Sequence, residues 1–259
     1  MINMNLLDTF LWLALAVWLY MSAWFVVAKV TNRADVVDSA WGLGFIYAAW
    51  LAWWVNGRQQ DITLLAAAFV SLWGLRLFLH IFTRNVRKSE DYRYVQFRRK
   101  WGKLFWPQAY LRIFILQGVL LLLISTTTIA IMTRHLLAWH PLAIAGFAIW
   151  ALGIIFEGEA DAELRNFVKT KKSGEIMQKG LWRFSRHPNY FGEITTWWGA
   201  ALVAISVGQY WGVIGALAIT FLITKVSGIP PLEKHYASNK AYEKYKRHTS
   251  VLIPLPPKR

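Results

Sequence analysis

The stretch Arg186-His187-Pro188-Asn189-Tyr190-Phe191-Gly192-Glu193 sets two basic side chains, an amide, a phenol and a carboxylate at the threshold of a long apolar run. Arginine grips phosphate with a planar fork of donors, and asparagine offers a donor and an acceptor together. Pro188 suits a first helical turn, where its missing N–H costs nothing. The free N–H groups of such a turn can receive an anion or a cofactor, and Gly192 would let backbone and ligand approach closely. A second set consists of carboxylates beside apolar runs: Asp35, Asp38, Glu157, Asp161, Glu193 and Glu233. A carboxylate at a membrane edge is costly unless it is paired or used. Asp35 reads equally well as the partner of a loop arginine. Asp38, Asp161 and Glu193 each lie beside a glycine or proline break, an apolar span or a basic loop, and read as functional.

Membrane spans must position these groups. The 259-residue chain is 56% hydrophobic and only 17% charged, and its charges fall in basic blocks between long uncharged runs. A spanning helix takes about 20 apolar residues. Leu6–Ala28, Ala40–Val55, Ile62–Ile81, Leu111–Met132 and Ala138–Phe156 are candidates, and the first lacks the basic leader of a secretory signal. The uncharged stretch Ile194–Thr224 would be roughly 46 Å long if helical throughout. It breaks at the turn-like pair Gly208-Gln209 and reads as a helical hairpin.

Charge sets the count. With seven spans and an outside N-terminus, most of the 29 Lys and Arg residues fall inside. They are Lys29, Arg33, the Arg84–Lys103 and Arg165–Arg186 blocks, and those from Lys225 onward, while Arg58 and Arg134 fall in outside loops. The expectation is an all-α polytopic membrane protein with seven transmembrane helices, the N-terminus outside and the C-terminus cytoplasmic. It forms a single domain, residues 1–259, whose loops at about 84–110, 158–192 and 225–259 cap a cavity. Trp53, Trp54, Trp139 and Trp211 near span ends suit an aromatic belt.

The net charge of +15 is explained by this topology and by attraction to anionic headgroups. With no stacking motif, zinc finger or RNA-binding signature, no nucleic-acid partner is expected. The chain has no cysteine, which removes disulfides and thiolate chemistry. His80, His135, His140, His187, His235 and His248 show no ligand spacing, so no metal is expected. Glu90–Tyr94 followed by Arg98-Arg99-Lys100 reads as a short interfacial helix with basic residues toward headgroups. Glu157, Asp161 and Leu164 share a helical face. Arg165, Lys169, Lys171 and Lys172 follow, then the turn signal Ser173-Gly174. Acid before base matches the helix macrodipole if Asp161 sits near a first turn. There is no GxGxxG or P-loop, so any nucleotide is held by a non-Rossmann device.

Gly180-Leu181-Trp182, Arg186–Glu193, Glu233 and Tyr242…Tyr245 resemble the C-terminal half of the steroid 5α-reductase superfamily. Asp35…Asp38-Ser39-Ala40-Trp41-Gly42-Leu43-Gly44-Phe45 and Glu90-Asp91-Tyr92-Arg93-Tyr94 resemble its bacterial branch, DUF1295, and that resemblance covers nearly the whole chain. It implies a seven-helix, multi-pass protein of a bacterial inner membrane that binds NADPH in a cytosol-facing cavity. Such proteins reduce an activated carbon–carbon double bond of a steroid or other lipid enone, a lipophilic substrate that arrives from the bilayer among membrane lipids. The resemblance aligns Asp161, Asn189 and Glu193 with NADPH contacts and puts Lys225 where the family has arginine. The cofactor-binding set it implies also takes in Glu157, Arg165, Lys169, Lys172, Trp182, Arg186, His187, Tyr190, Glu233, Tyr236, Tyr242 and Tyr245. Asp38 aligns with a family glutamate that holds the substrate carbonyl. One position departs: the family tyrosine that follows a histidine in the third helix falls at Ile81, after His80. Carbonyl protonation then rests on Asp38, His80 or a loop tyrosine such as Tyr92. A carboxylic acid serves only if desolvation keeps it protonated.

Two rivals remain. Membrane methyltransferases of the isoprenylcysteine carboxyl and phospholipid types also carry an RHPxY-like element and a C-terminal Glu…Tyr…Tyr pattern, and they bind S-adenosylmethionine. The Lys169–Lys172 cluster and Lys225 fit a phosphate-bearing cofactor better. A non-catalytic lipid-binding protein would explain Ile81 but not the polar cluster at Arg186–Glu193.

Overall fold

The structure, a computed structural model, describes residues 5–56, 62–86, 88–133, 139–172 and 174–258. The expectations that involve Arg58, Arg134, His135, Ala138 and Ser173 lie outside the described residues. Chain contacts divide the protein into two units, Met1–Trp139 and His140–Arg259. The described residues contain helices and no strand, apart from an isolated bridge between Ser185 and Ser250. Among the described residues, five helical stretches are long and apolar enough to cross a membrane: Leu6–Thr31, Ile62–Val86, Tyr92–Met132, Pro141–Thr170 and Tyr210–His235.

In the first unit, α1 (Leu6–Thr31) starts where the Asn5 side chain accepts the Asp8 N–H, 2.8 Å, and stops at Asn32, whose φ of 52° is left-handed. Next come α2 (Val36–Val55) and α3 (Ile62–Val86). These two cross at Gly42 and Gly74, where a Cβ on either glycine would run into the other's carbonyl oxygen. The short α4 (Tyr92–Trp101) is capped by Asp91, whose carboxylate accepts the Arg93 N–H. Then follow α5 (Phe105–Ala109), a π-helical turn at Tyr110–Ile115 and α6 (Leu116–Met132).

The run Tyr92–Met132 is not one straight rod. Gly102, at φ 48° and ψ −125°, breaks it after α4. Asp38 and Trp41, neighbours on one face of α2, bond to Tyr94 and Gln117 respectively. A straight helix would hold Tyr94 and Gln117 roughly 35 Å apart. The chain therefore folds back at Gly102, and α4 is the separate short helix that its charge pattern suggested.

The second unit contains α7 (Pro141–Thr170), α8 (Pro188–Ser206), α9 (Val213–Phe221), α10 (Ile229–His235) and α11 (Lys240–His248). Pro188 occupies the first turn of α8, and the chain turns at Gly208 (φ 76°), as the hairpin reading expects. Antiparallel α7 and α8 pack along glycines. A Cβ on Gly146, Gly153, Gly192 or Gly199 would meet Val203, Thr196, Glu157 or Trp150 at backbone distance. Helices in lipid lack a hydrophobic drive toward one another, so close backbone approach is what joins them.

Two expectations are corrected here. Residues 158–170, taken for the start of a loop, continue α7. They are rich in Ala, Glu, Leu, Arg and Lys and contain no proline, so nothing stops the helix at the membrane edge. Asp161 accordingly lies deep within α7 rather than near a first turn, and the macrodipole gives it no support.

Candidate functional site

In the second unit, Asp161 and Asn189 are brought together. The Asn189 amide donates to Asp161 Oδ1 at 3.2 Å, linking α7 to the first turn of α8. Asp161 and Glu157 are 7% and 3% exposed, and one helical face of α7 carries both. Gly192 packs on the backbone of Glu157, so its missing side chain serves the helix seam rather than a ligand. Glu193 is half-buried one turn along α8.

The same face of α7 continues through Leu164 and Val168 into the wall of a cavity of about 140 Å³. Trp182, Tyr236, Tyr242 and Tyr245 give it aromatic walls, and Lys171 and Arg186 border it. Tyr236 and Tyr242 stack on each other at 5.1 Å. The cavity is smaller than the roughly 300–1,000 Å³ of drug-sized sites, so it takes one ring system of a larger ligand.

The Arg186–His187 pair is committed differently from its sequence reading. Arg186 Nε donates to Glu233 at 2.9 Å, and its Nη1 donates to the carbonyls of Thr249 (2.8 Å) and Lys246 (3.1 Å). His187 Nε2 and the Tyr242 hydroxyl share the same Glu233 oxygen at 3.2 and 2.8 Å. Tyr245 donates to the carbonyls of Trp182 and Ser185, and Trp182 donates to Ala160. These contacts pin the C-terminal segment to the start of α8. Arg186 here is a staple, since the bonds that would clasp a phosphate hold protein groups. Burial pushes the His187 pKa down, against an opposing pull from Glu233. Burial, reinforced by the Glu233 hydrogen bond, pushes the Tyr242 phenol up, and burial does the same to Tyr245.

Gly180 has a specific task. Its φ is 56°, and a Cβ there would strike the Glu163 carboxylate, which accepts the Leu181 N–H at 2.9 Å. Tyr190 stacks on His187 at 5.6 Å. Arg165, Lys169, Lys172 and Lys225 are all exposed.

In the first unit, Tyr94 rather than Tyr92 meets Asp38. The Tyr94 hydroxyl donates to Asp38 Oδ1 at 2.5 Å, and Arg93 donates to Oδ2 at 3.0 Å. Tyr94 is 3% exposed, whereas Tyr92 is 56% exposed on the opposite side of α4. A helix turns about 100° per residue, so positions 92 and 94 cannot share a face. The alternating charges of Glu90–Tyr94 gave no sign of which tyrosine turns inward. His80 is half-buried near the end of α3, where its carbonyl accepts the Thr83 hydroxyl at 3.3 Å. Asp35 pairs bidentately with Arg33 at 3.0 and 2.8 Å and accepts the Asp91 N–H, the pairing with a loop arginine that the sequence allowed. The Gln117 amide oxygen accepts the Trp41 indole N–H at 2.6 Å, a bond between α2 and α6 that was invisible from sequence.

Residues 24–249 match the profile of a family described as "Protein of unknown function (DUF1295)". The chain belongs to the DUF1295 family. It is also 32% identical over 118 residues to rat 3-oxo-5-alpha-steroid 4-dehydrogenase 1, covering 45% of this chain and 42% of the rat protein. The human protein of the same name matches at 32% over 116 residues, 44% of this chain and 42% of that one. The mouse protein matches at 32% over 118 residues, 45% and 43%. The matched region thus spans less than half the length of these curated relatives. With the family match, these likenesses place this DUF1295 protein in the steroid 5α-reductase superfamily. No solved structure matches the chain.

Proposed function

We propose that this DUF1295 protein is an integral-membrane, NADPH-dependent reductase of an activated carbon–carbon double bond in a lipophilic 3-oxo steroid or similar lipid enone. The observation that carries the reading is the Asp161–Asn189 hydrogen bond. Two residues that the resemblance assigns to the cofactor, far apart in the chain, meet on the face of α7 that leads into an aromatic cavity. The residues fit a dinucleotide in parts. Tyr236, Tyr242 and Trp182 offer flat surfaces to a base, Lys171 borders them as a cation, and Asp161 and Asn189 offer acceptor and donor atoms for ribose or carboxamide. The names of the rat and human relatives favour this reading over a methyltransferase.

A reduced nicotinamide supplies a hydride for the β-carbon of an enone. As negative charge grows on the carbonyl oxygen, a preorganised donor there lowers the barrier. Asp38 and Tyr94 are the chain's candidates, because they hold a proton between them at 2.5 Å beside the Arg93 cation. The enone oxygen takes that proton. Loss of that proton adds one negative charge to the pair, which the Arg93 cation offsets until water returns the proton, and the enol so formed tautomerises to the ketone. Seven spans are part of the proposal: α2 and α8 join the five longer apolar stretches, with the N-terminus outside and the C-terminus cytoplasmic in a bacterial inner membrane. The substrate enters from the bilayer.

Titration of detergent-purified protein with NADPH, NADH and S-adenosylmethionine, followed through tryptophan quenching, tests this. Saturable NADPH quenching that weakens about tenfold or more in Asn189→Ala and Asp161→Asn is expected. Asp38→Asn and Tyr94→Phe should lower turnover of a 3-oxo-4-ene steroid while leaving NADPH affinity in place. Saturation by S-adenosylmethionine alone would replace the reductase with a methyltransferase.

A further inference from the structure

The C-terminal segment of the second unit carries apolar side chains that its clamp leaves bare. The Arg186 N–H donates to the Ser250 carbonyl at 2.8 Å, the Ser185 hydroxyl to that of Leu252 at 2.7 Å, and the Leu255 N–H to that of Phe184 at 3.0 Å. Residues 250–255 are thus fastened along 184–186, just ahead of the start of α8 at Pro188. Exposure alternates along the segment. Val251, Ile253 and Leu255 are exposed, Ile253 at 59%, while Leu252 and Pro254 are half-buried. Pro254 and Pro256 keep the residues before them, Ile253 and Leu255, in extended backbone. Phe184, whose carbonyl holds Leu255, is exposed as well. These side chains make a ridge, and a contiguous apolar patch outside the spans calls for an occupant.

The flank of the ridge is basic. Lys240, Lys244 and Arg247 recur at helical spacing on the side of α11 opposite the buried Tyr242 and Tyr245. Arg183, Lys244 and His248 border a hollow of about 270 Å³ together with Gln178 and Thr249, and among the described residues no carboxylate lines it. Glu243 on α11 is engaged by Lys246 at 3.5 Å. The Arg183 guanidinium lies 6.0 Å from the Phe184 ring centre, so cation and ridge adjoin. Cations beside bare aliphatic side chains match a lipid surface, where phosphates lie just above acyl chains. That surface is also within reach. Four residues span at most about 14 Å, which keeps Phe184 close to the point where α8 enters the bilayer. A protein partner would have to displace lipid already at hand.

We infer that the 251–255 ridge and the basic hollow beside it are one docking surface for an anionic membrane leaflet. Val251, Ile253 and Leu255 enter the headgroup–acyl boundary, and Arg183 and Lys244 take lipid phosphates. The inference goes beyond the reductase reading and requires only that α8 span the membrane.

The chain has no cysteine, so single cysteines can carry a nitroxide on an otherwise unchanged protein. Val251→Cys, Ile253→Cys and Leu255→Cys report the ridge, Lys240→Cys the basic face, and Leu202→Cys on α8 the bilayer interior. In nanodiscs of mixed phosphatidylglycerol and phosphatidylcholine, oxygen should reach the three ridge labels in preference to a nickel chelate. Their depth should be shallower than that of the Leu202 label, and the preference should reverse at Lys240. In phosphatidylcholine alone, or with Arg183→Gln and Lys244→Gln combined, nickel access to the ridge should rise, since each cation near an anionic surface strengthens attachment about fivefold. Ridge labels open to the nickel chelate while Leu202 sits in lipid overturn the inference. Labels closed to both reagents overturn it in favour of a protein contact, and insertion indifferent to headgroup charge overturns the role of the hollow. A Leu202 label open to the chelate would take down the α8 span and this surface together. None of these readouts involves NADPH, so failure of the reductase reading is a separate result.

Discussion

Gly192→Ala tests whether the helix seam builds the site. A Cβ at position 192 would lie 2.5 Å from the Glu157 amide nitrogen and 2.7 and 2.8 Å from its Cβ and Cα. Ordinary contact begins near 3.4 Å, so α7 and α8 must part by about 1 Å, because backbone cannot swing aside as a side-chain tip can. Overpacking of this kind costs roughly 1–3 kcal/mol. The displacement reaches the site directly: the Asp161–Asn189 bond, 3.2 Å long, spans the same seam one turn from Glu157. Stretched by that amount, it passes the limit of a hydrogen bond. The expected result is a fall in thermal midpoint on the order of 5 °C in detergent. NADPH affinity should fall by about tenfold, the equivalent of about 1.4 kcal/mol. Ile155→Ala, on the exposed side of α7 (67% exposed), is the control and should change neither quantity. A Gly192→Ala protein with wild-type melting and wild-type NADPH affinity would refute the argument that this seam fixes the cofactor groups.

Other consequences follow from the Glu233 hub. Arg186→Ala should release the C-terminal segment, since one guanidinium bonds Glu233, Lys246 and Thr249 together. A loss of about 3 kcal/mol is expected for a largely buried pair, seen as faster tryptic cleavage among residues 240–258, and unchanged digestion would count against the staple. His187, only 3% exposed and facing Glu233, Arg186 and Tyr190, has its pKa lowered by burial. A histidine that protonates more readily unfolded than folded withholds no stability above about pH 6.5 and loses it as pH falls from there through the lower folded value. Thermal melts of wild type and His187→Asn should therefore run at a constant offset above neutrality and differ in slope below pH 6.5. Parallel curves across that window would show that His187 does not titrate with folding.

Local chemistry carried much of this architecture, and its limits are specific. Pro188 announced a helix start and Gly208-Gln209 a turn, because each signal acts on its own neighbours. Asp161 and Asn189 could be named from a resemblance, but their hydrogen bond could not, because it depends on two helices meeting in one register. The register itself was written in glycines seven residues apart, 146 and 153 on α7, 192 and 199 on α8. A seven-residue spacing keeps one face of a helix, yet a single chain does not say which helix faces which. Tyr94 was hidden for a related reason. Choosing it over Tyr92 requires the rotation of α4, which is set by the break at Gly102 and the contact with Asp38 on another helix.

The two polar clusters differ in how they use their atoms, and that difference separates scaffold from chemistry. At Glu233 four partners converge: Arg186, His187 and Tyr242 on one oxygen, with Lys246 at 3.7 Å from the other. A carboxylate so surrounded has little capacity to spare for a ligand. The arrangement suits a clamp, and any membrane enzyme that closes a C-terminal segment over helix ends needs one. The Asp38 cluster works the other way. Asp38 takes one donor on each oxygen, Tyr94 at 2.5 Å and Arg93 at 3.0 Å, and a carboxylate has further lone-pair sites to offer. On the proposed reductase reading, discrimination between chemistries belongs to the Asp38–Tyr94 pair and to the Asp161–Asn189 pair, and substitutions there should change the reaction before they change the fold.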